Sequence, residues 1–160
     1  MIYEILTYVG IALMVALTGI GSTIGVAMCG NATVGSMKKN PDSLGSYIVL
    51  SALPSTQGLY GFVGFFMSLN LVQKLTEASL LNAVSAWAIF AACITLGVVG
   101  LFSAIRQASI CANGIKTIGG GDNVFGATMV MAVFPELYAI LAILVAILLF
   151  GAVPNLVGMA

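Results

Sequence analysis

The stretch VFGATMVMAVFPELYAILAILVAILLF, residues 124–150, decides how this chain is built. It exceeds the roughly 20 apolar residues that a helix needs to cross a bilayer core, and it holds a single charge, Glu136, well inside it. An acid at the middle of a spanning helix costs roughly 2.5–3.5 kcal/mol on insertion scales. A proton, a cation or a paired base must offset that cost, so the residue is read as functional.

Working outward, polar punctuation sets off three more apolar segments, at about 5–34, 47–72 and 80–115. The connections run through Lys38, Lys39, Asn40, Pro41 and Asp42, then Gln73 to Glu77, then Gly119 to Asn123, with the residue types expected of turns. Short links join antiparallel neighbours. Hydrocarbon requires every backbone polar group to be satisfied internally, and the alternation of barrel strands is absent, so the segments are expected to be helices. The fold class is an all-α integral membrane protein with four transmembrane helices.

Composition agrees. Sixty-one per cent of residues are hydrophobic, 6% are charged and mean hydropathy is +1.15, too little polar surface to cover a soluble globule. Five basic residues balance five acidic ones, which leaves no electrostatic footprint for nucleic acid. The chain has no histidine, so histidine catalysis is excluded. Cys29, Cys93 and Cys111 lie in apolar segments without C-x-x-C spacing and read as small packing residues. The first segment has Glu4 where a secretory leader would be basic, and it is too long for one, so it is expected to be retained.

The second half repeats the first. Gly19-Ile20-Gly21-Ser22-Thr23-Ile24 matches Gly100-Leu101-Phe102-Ser103-Ala104-Ile105, and Leu59-Tyr60 matches Leu137-Tyr138. One membrane domain, 1–160, is thus expected to consist of tandem hairpins at 1–78 and 79–160. In that register Gly58 stands where Glu136 stands, so one hairpin of the pair keeps an acid. Such internal repeats are common in transporters.

Lys38, Lys39 and Lys116 lie on or near the first and third loops, whereas Lys74 on the second is offset by Glu77. The positive-inside bias makes loops 36–46 and 117–123 cytoplasmic and places both termini outside. Spans one and three are rich in small residues, including Gly21-xxx-Gly25, which permits close backbone approach in lipid. Spans two and four are bulky, with Phe62, Phe65, Phe66 and Phe134. If many copies pack side by side, the thin pair suits the inner circumference of a ring and the thick pair its outer one, facing lipid. Ordinary packing within one four-helix bundle is the plainer reading.

In span two, Leu53, Thr56, Gln57 and Tyr60 are spaced by three or four residues and share a helix face. Pro54 has no amide hydrogen, so a kink there exposes main-chain oxygens near Leu53, and Pro135 is expected to do the same in span four. At about 1.5 Å per residue, Thr56, Gln107 and Glu136 lie within roughly 8 Å of one another in depth. A carboxylate with hydroxyl, amide and main-chain oxygens is a hard all-oxygen set, suited to an alkali cation such as Na⁺. A proton would also neutralise Glu136. Thr56 and Gln57 as plain interhelical hydrogen-bonding partners is the alternative, and Tyr60 is expected to donate its hydroxyl to the carboxylate. Arg106, next to Gln107, diverges from it by about 100° around the helix. A salt bridge from Arg106 to Glu136 is the alternative; the arginine is expected to snorkel to the cytoplasmic interface or face a wet lumen instead.

Gly19 to Ser22, Leu53-Pro54-Ser55-Thr56-Gln57-Gly58-Leu59-Tyr60-Gly61, Phe102 to Gln107 and Pro135-Glu136-Leu137-Tyr138-Ala139 together resemble the membrane rotor subunit of V-type ATPases, the duplicated proteolipid termed K or c. The likeness spans essentially the whole chain and is greatest to the sodium-translocating bacterial branch. It implies Na⁺ held by the Leu53 carbonyl, Thr56, Gln57, Gln107 and Glu136, with Tyr60 bonded to the carboxylate and Pro54 and Pro135 in support. It also implies a ring of identical copies in a bacterial cell membrane. The ring would turn against a stator subunit with a basic residue, with a central-stalk subunit on loops 36–46 and 117–123. Pro135 and Arg106 depart from the family pattern. The chain has no P-loop, so no nucleotide is expected on it. The same rotor carrying H⁺ is the alternative. A small proton-coupled multidrug exporter is a further one, which requires a roomy aromatic-lined cavity at the acid.

Overall fold

The computed structural model describes residues 1–158. It contains α1 (Ile2–Met37), α2 (Leu44–Ala52), α3 (Thr56–Glu77), α4 (Ala83–Gly119) and α5 (Phe125–Leu156), with no strand among the described residues. Helices α2 and α3 are two parts of one span, so four helical units are long and apolar enough to cross a membrane.

Two prolines in these spans behave differently. At Pro54 the missing amide leaves the Leu50 carbonyl without its α-helical partner, and the backbone tightens into a 3-10 turn over Leu53–Ser55. At Pro135 α5 runs on from Phe125 to Leu156 without a 3-10 turn of the kind at Pro54. Side chains of α4 support that stretch: Gln107 donates to the Ala132 carbonyl at 3.1 Å and Ser103 to the Pro135 carbonyl at 2.8 Å. The carbonyl that the missing Pro135 amide frees is that of Met131, so these bonds add to the helix and do not replace the lost one.

The third span starts at Ala83, three residues after the apolar run begins. Asn82 caps it, accepting from the amides of Val84 and Ser85 while Ser85 accepts from the Asn82 amide, a reciprocal arrangement that satisfies otherwise orphaned donors. Leu80 and Leu81, in the turn, pack against the core. At the opposite end Asn40 donates to the Ile118 carbonyl at 3.0 Å, which ties the first and third loops into one face.

Helices α1 and α4 lie back to back. A Cβ on Gly21 would fall 2.8 Å from the Cα of Leu101, and one on Gly25 would fall 2.6 Å from the Cβ of Pro54. Cys29 donates its thiol to the Ala108 carbonyl at 3.5 Å and Ser36 its hydroxyl to the Ile115 carbonyl at 3.1 Å. The small residues thus allow backbone-to-backbone contact, which drives helix association where lipid removes the hydrophobic drive. Helices α3 and α5 flank this pair and turn bulky side chains outward, Phe66 and Phe134 among them.

The interior separates into two apolar clusters. One is built on Met14, Leu75, Leu96 and Phe150, the other on Tyr47, Leu50, Cys111 and Ile115. The polar side chains of spans two, three and four meet between them.

Candidate ion-binding site

Glu136 projects from α5 without an ion-pair partner among the described residues. Two neutral donors hold its carboxylate. The Tyr60 hydroxyl donates to Oε1 at 2.9 Å and Gln107 Nε2 donates to Oε2 at 3.0 Å. Each oxygen is oriented, and the charge itself is left for a cation or a proton to neutralise.

A second layer lies behind the first. Gln57 is fully buried, and its Nε2 donates to Gln107 Oε1 at 2.9 Å and to the Ser103 hydroxyl at 3.1 Å. Ser103 passes its own proton to the Pro135 carbonyl. Gln57 Oε1 has no hydrogen-bond partner, the one buried side-chain polar atom so placed among the described residues. An unpaired buried acceptor costs about 1–3 kcal/mol. An acceptor with no proton donor to meet it suits a bare cation, and its neighbours are amide, hydroxyl and carboxylate oxygens. A hard alkali ion therefore fits the residues present.

The structure brings Gln57, Tyr60, Gln107 and Glu136 into one hydrogen-bonded chain. Thr56 and the Leu53 carbonyl bond to each other, at 3.1 Å, with no hydrogen bond linking either to the carboxylate. Pro54 is buried and packs against Gly25. Pro135 contributes its carbonyl to Ser103. Ser103 itself is a site residue that the sequence shows only as part of the repeat and of the Phe102 to Gln107 motif; its position one helical turn before Gln107 was the available signal.

The repeated serines each bond to the backbone of their own hairpin's second helix, in opposite senses. In the first, Ser22 of α1 accepts from the Gly58 amide of α3 at 2.8 Å; in the second, its counterpart Ser103 of α4 meets Pro135 of α5. Residues 9–68 and residues 90–149 each match the family of the ATP synthase C subunit. The chain belongs to the ATP synthase C-subunit family. Each C-subunit match covers one hairpin, and the acid falls in the second.

Two relatives are similar over most of the chain. A-type ATP synthase subunit K of Methanocaldococcus jannaschii is 39% identical over 149 residues, which is 93% of this chain and 63% of that protein. V-type sodium ATPase subunit K of Enterococcus hirae is 34% identical over 133 residues, 82% of this chain and 81% of that protein. The chain thus spans less than two thirds of the archaeal relative's length and about four fifths of the bacterial one's.

Proposed function

We propose that this chain is the ion-carrying rotor subunit of a V-type rotary ATPase, that identical copies form its ring, and that Na⁺ is the ion carried. The observation that carries the reading is Gln57 Oε1, buried without a partner in the side-chain cluster that holds Glu136. The name of the E. hirae relative, a sodium ATPase subunit, supports the choice of ion.

Glu136 has to be neutral to face lipid and ionised to exchange its cargo. With Na⁺ bound, the carboxylate charge is cancelled, and the oxygens of Gln57, Gln107, Thr56 and Leu53 are the groups available to replace lost hydration. Tyr60 and Gln107 orient the carboxylate, so the site needs little reorganisation as the ion enters. The two apolar clusters above and below exclude water along the chain axis. Exchange then belongs at a stator subunit, where a fixed basic residue competes for Glu136 and half-channels let ions leave to one side and load from the other.

Loops 36–46 and 117–123 are read as cytoplasmic, with both termini outside and a bacterial cell membrane as the setting. The Asn40 to Ile118 bond makes those two loops one surface, suited to a central-stalk subunit that links the ring to ATP hydrolysis elsewhere. The subunit is not catalytic by itself. An exporter would need a roomy cavity at the acid; the groove of about 570 Å³ between α4 and α5 is lined by Phe102, Ser103, Phe134, Pro135 and Tyr138, with Glu136 not among its lining residues.

Carbodiimide labelling of purified assemblies tests the reading. Modification of Glu136 that millimolar NaCl suppresses and KCl does not supports a sodium rotor. Modification indifferent to Na⁺ at every pH assigns the ion as H⁺ and overturns the choice of Na⁺.

A further inference from the structure

Arg106 is exposed beside the fully buried Gln107, at the depth of the ion site, and it has no ion-pair partner among the described residues. A guanidinium in that position is costly and calls for acceptors. It lines the groove between α4 and α5 together with Phe102, Ile110, Pro135 and Tyr138.

The internal repeat says what this groove is. Residues of α1 map onto α4 with the offset that joins Gly19 to Gly100, and α3 maps onto α5 with the offset that joins Tyr60 to Tyr138. Phe102, Arg106 and Ile110 thereby stand where Gly21, Gly25 and Cys29 stand, and Pro135 and Tyr138 where Gln57 and Tyr60 stand. Those five residues of the first hairpin are the ones the second hairpin covers: Gly21 meets Leu101, Gly25 meets Ala104 and Ala108, Cys29 bonds to Ala108, Gln57 to Gln107 and Tyr60 to Glu136. The groove is the same surface on the second hairpin, left uncovered within the chain.

Its complement is present too. The covering residues Leu101, Ala104 and Ala108 map back onto Ile20, Thr23 and Ala27 of α1, all exposed. Gly19 lies on the same side, and a Cβ there would meet no atom within 4 Å.

We propose that this groove receives α1 of a second copy along Ile20, Thr23 and Ala27, and that Arg106 is a copy-to-copy contact residue, donating to main-chain and hydroxyl oxygens around Thr23 of that copy. The assignment rests on the ring reading above and adds the contact and the residue. Within the chain, a Cβ on Gly25 would lie 3.2 Å from the Ala104 carbonyl oxygen; the counterpart of that oxygen is the Thr23 carbonyl of the second copy. A guanidinium has five donors and no acceptor, so a carbonyl and a threonine hydroxyl suit it. Thr23 spends its own proton on the Gly19 carbonyl at 2.8 Å, which leaves the hydroxyl lone pairs free to accept. Replacing glycine by arginine at this position also keeps two copies farther apart than the two hairpins of one chain. The ring therefore alternates close contacts, each holding an ion site, with wider ones held by Arg106.

Cysteine cross-linking tests the contact. With Cys29, Cys93 and Cys111 changed to alanine, the pair Ile20→Cys and Phe102→Cys should give a ladder of disulfide-linked copies under mild oxidation, and Ile20→Cys alone should give none above dimer. In the unaltered cysteine background, Gly19→Leu should leave the helical content of the chain unchanged and abolish the ring on native mass spectrometry. Arg106→Ala should lower the temperature at which rings dissociate, Arg106→Lys should restore part of the loss, and both should shift the Na⁺ concentration that half-protects Glu136 by less than about two-fold. Intact rings with no ladder and no effect of Gly19→Leu overturn this contact while leaving the rotor reading standing. A ten-fold shift in Na⁺ protection by Arg106→Ala with unaltered ring stability assigns the arginine to Glu136 and overturns its role here. A wild-type chain that is monomeric in every extract overturns both readings.

Discussion

Changing Gln57 to leucine keeps the volume of a fully buried side chain and removes its amide. Three things are lost: the bond to Gln107 Oε1 at 2.9 Å, the bond to the Ser103 hydroxyl at 3.1 Å, and the free Oε1 acceptor. An interaction between a neutral polar group and a charge contributes about 1.5–3 kcal/mol. At about 1.4 kcal/mol per decade, loss of Oε1 as an ion ligand weakens Na⁺ binding roughly 10- to 150-fold. The measurement is the Na⁺ concentration that half-protects Glu136 from carbodiimide in purified rings. A thermal melt gives a second reading. Na⁺ at one hundred times its dissociation constant stabilises the folded ring by about 2.7 kcal/mol, and a hundred-fold weaker site reduces that to about 0.4 kcal/mol. The difference between melts in NaCl and KCl should therefore nearly vanish in the variant. If Gln57 only joins helices, a role that averages about 0.6 kcal/mol in membranes, the variant melts lower in both salts by the same amount. An unchanged half-protecting concentration with a uniform loss of stability would refute the ligand assignment.

Tyr60→Phe removes one of the two donors that orient the carboxylate and should weaken Na⁺ protection of Glu136 by roughly five-fold, about 1 kcal/mol, less than the loss from Gln57→Leu in the same titration. Gly25→Ala places a methyl 2.6 Å from Pro54 and 3.2 Å from the Ala104 carbonyl, so it should destabilise the bundle by about 1–3 kcal/mol; a thermal melt equal to wild type would show that α1 and α4 can part there freely. Asn82→Ala removes the cap of α4 and should cost about 1 kcal/mol of stability with no change in Na⁺ protection, because the cap lies a long way along the helix from Gln107.

Much of this site could be read from residue types. A lone acid in an apolar run and a polar face at 53, 56, 57 and 60 each mark an expensive placement in lipid, and the depth count brings Thr56, Gln107 and Glu136 to one level. Gln57, Gln107, Tyr60 and Glu136 meet in the structure. Ser103 was hidden because a serine in a glycine-rich helix has the same composition whether it packs or relays a hydrogen bond. Only its register, one turn before Gln107 and facing Pro135, separates the two roles. The start of α4 was hidden for a different reason. Leu80 and Leu81 are apolar because they cover the core from a turn, so hydropathy runs past the helix end and the cap at Asn82 fixes it. At Pro135 the sequence shows only that proline removes a donor and can kink the helix. The side chains that bond to main-chain oxygens around it come from α4, 25 or more positions away in sequence, which no local pattern reveals.

The duplication explains why one acid suffices per copy. Within the chain Tyr60 of the first hairpin and Gln107 of α4 donate to Glu136, and Gln57 bonds to Gln107 and Ser103 behind them. Their counterparts in the repeat are Pro135, Tyr138, Ser22 and Val26, with Gly58 in the place of the acid. That set has no carboxylate and no side-chain amide, so a contact between copies built from it has nothing to hold an alkali ion. On the proposed function the number of ions moved per turn then equals the number of copies, half what the number of hairpins would allow. Each ion receives a larger share of the free energy of a turn, which suits a ring that pumps against a steep gradient. The arginine at 106 fits the same division, since a fixed positive charge is tolerable at a contact that carries no cation and would oppose binding at one that does.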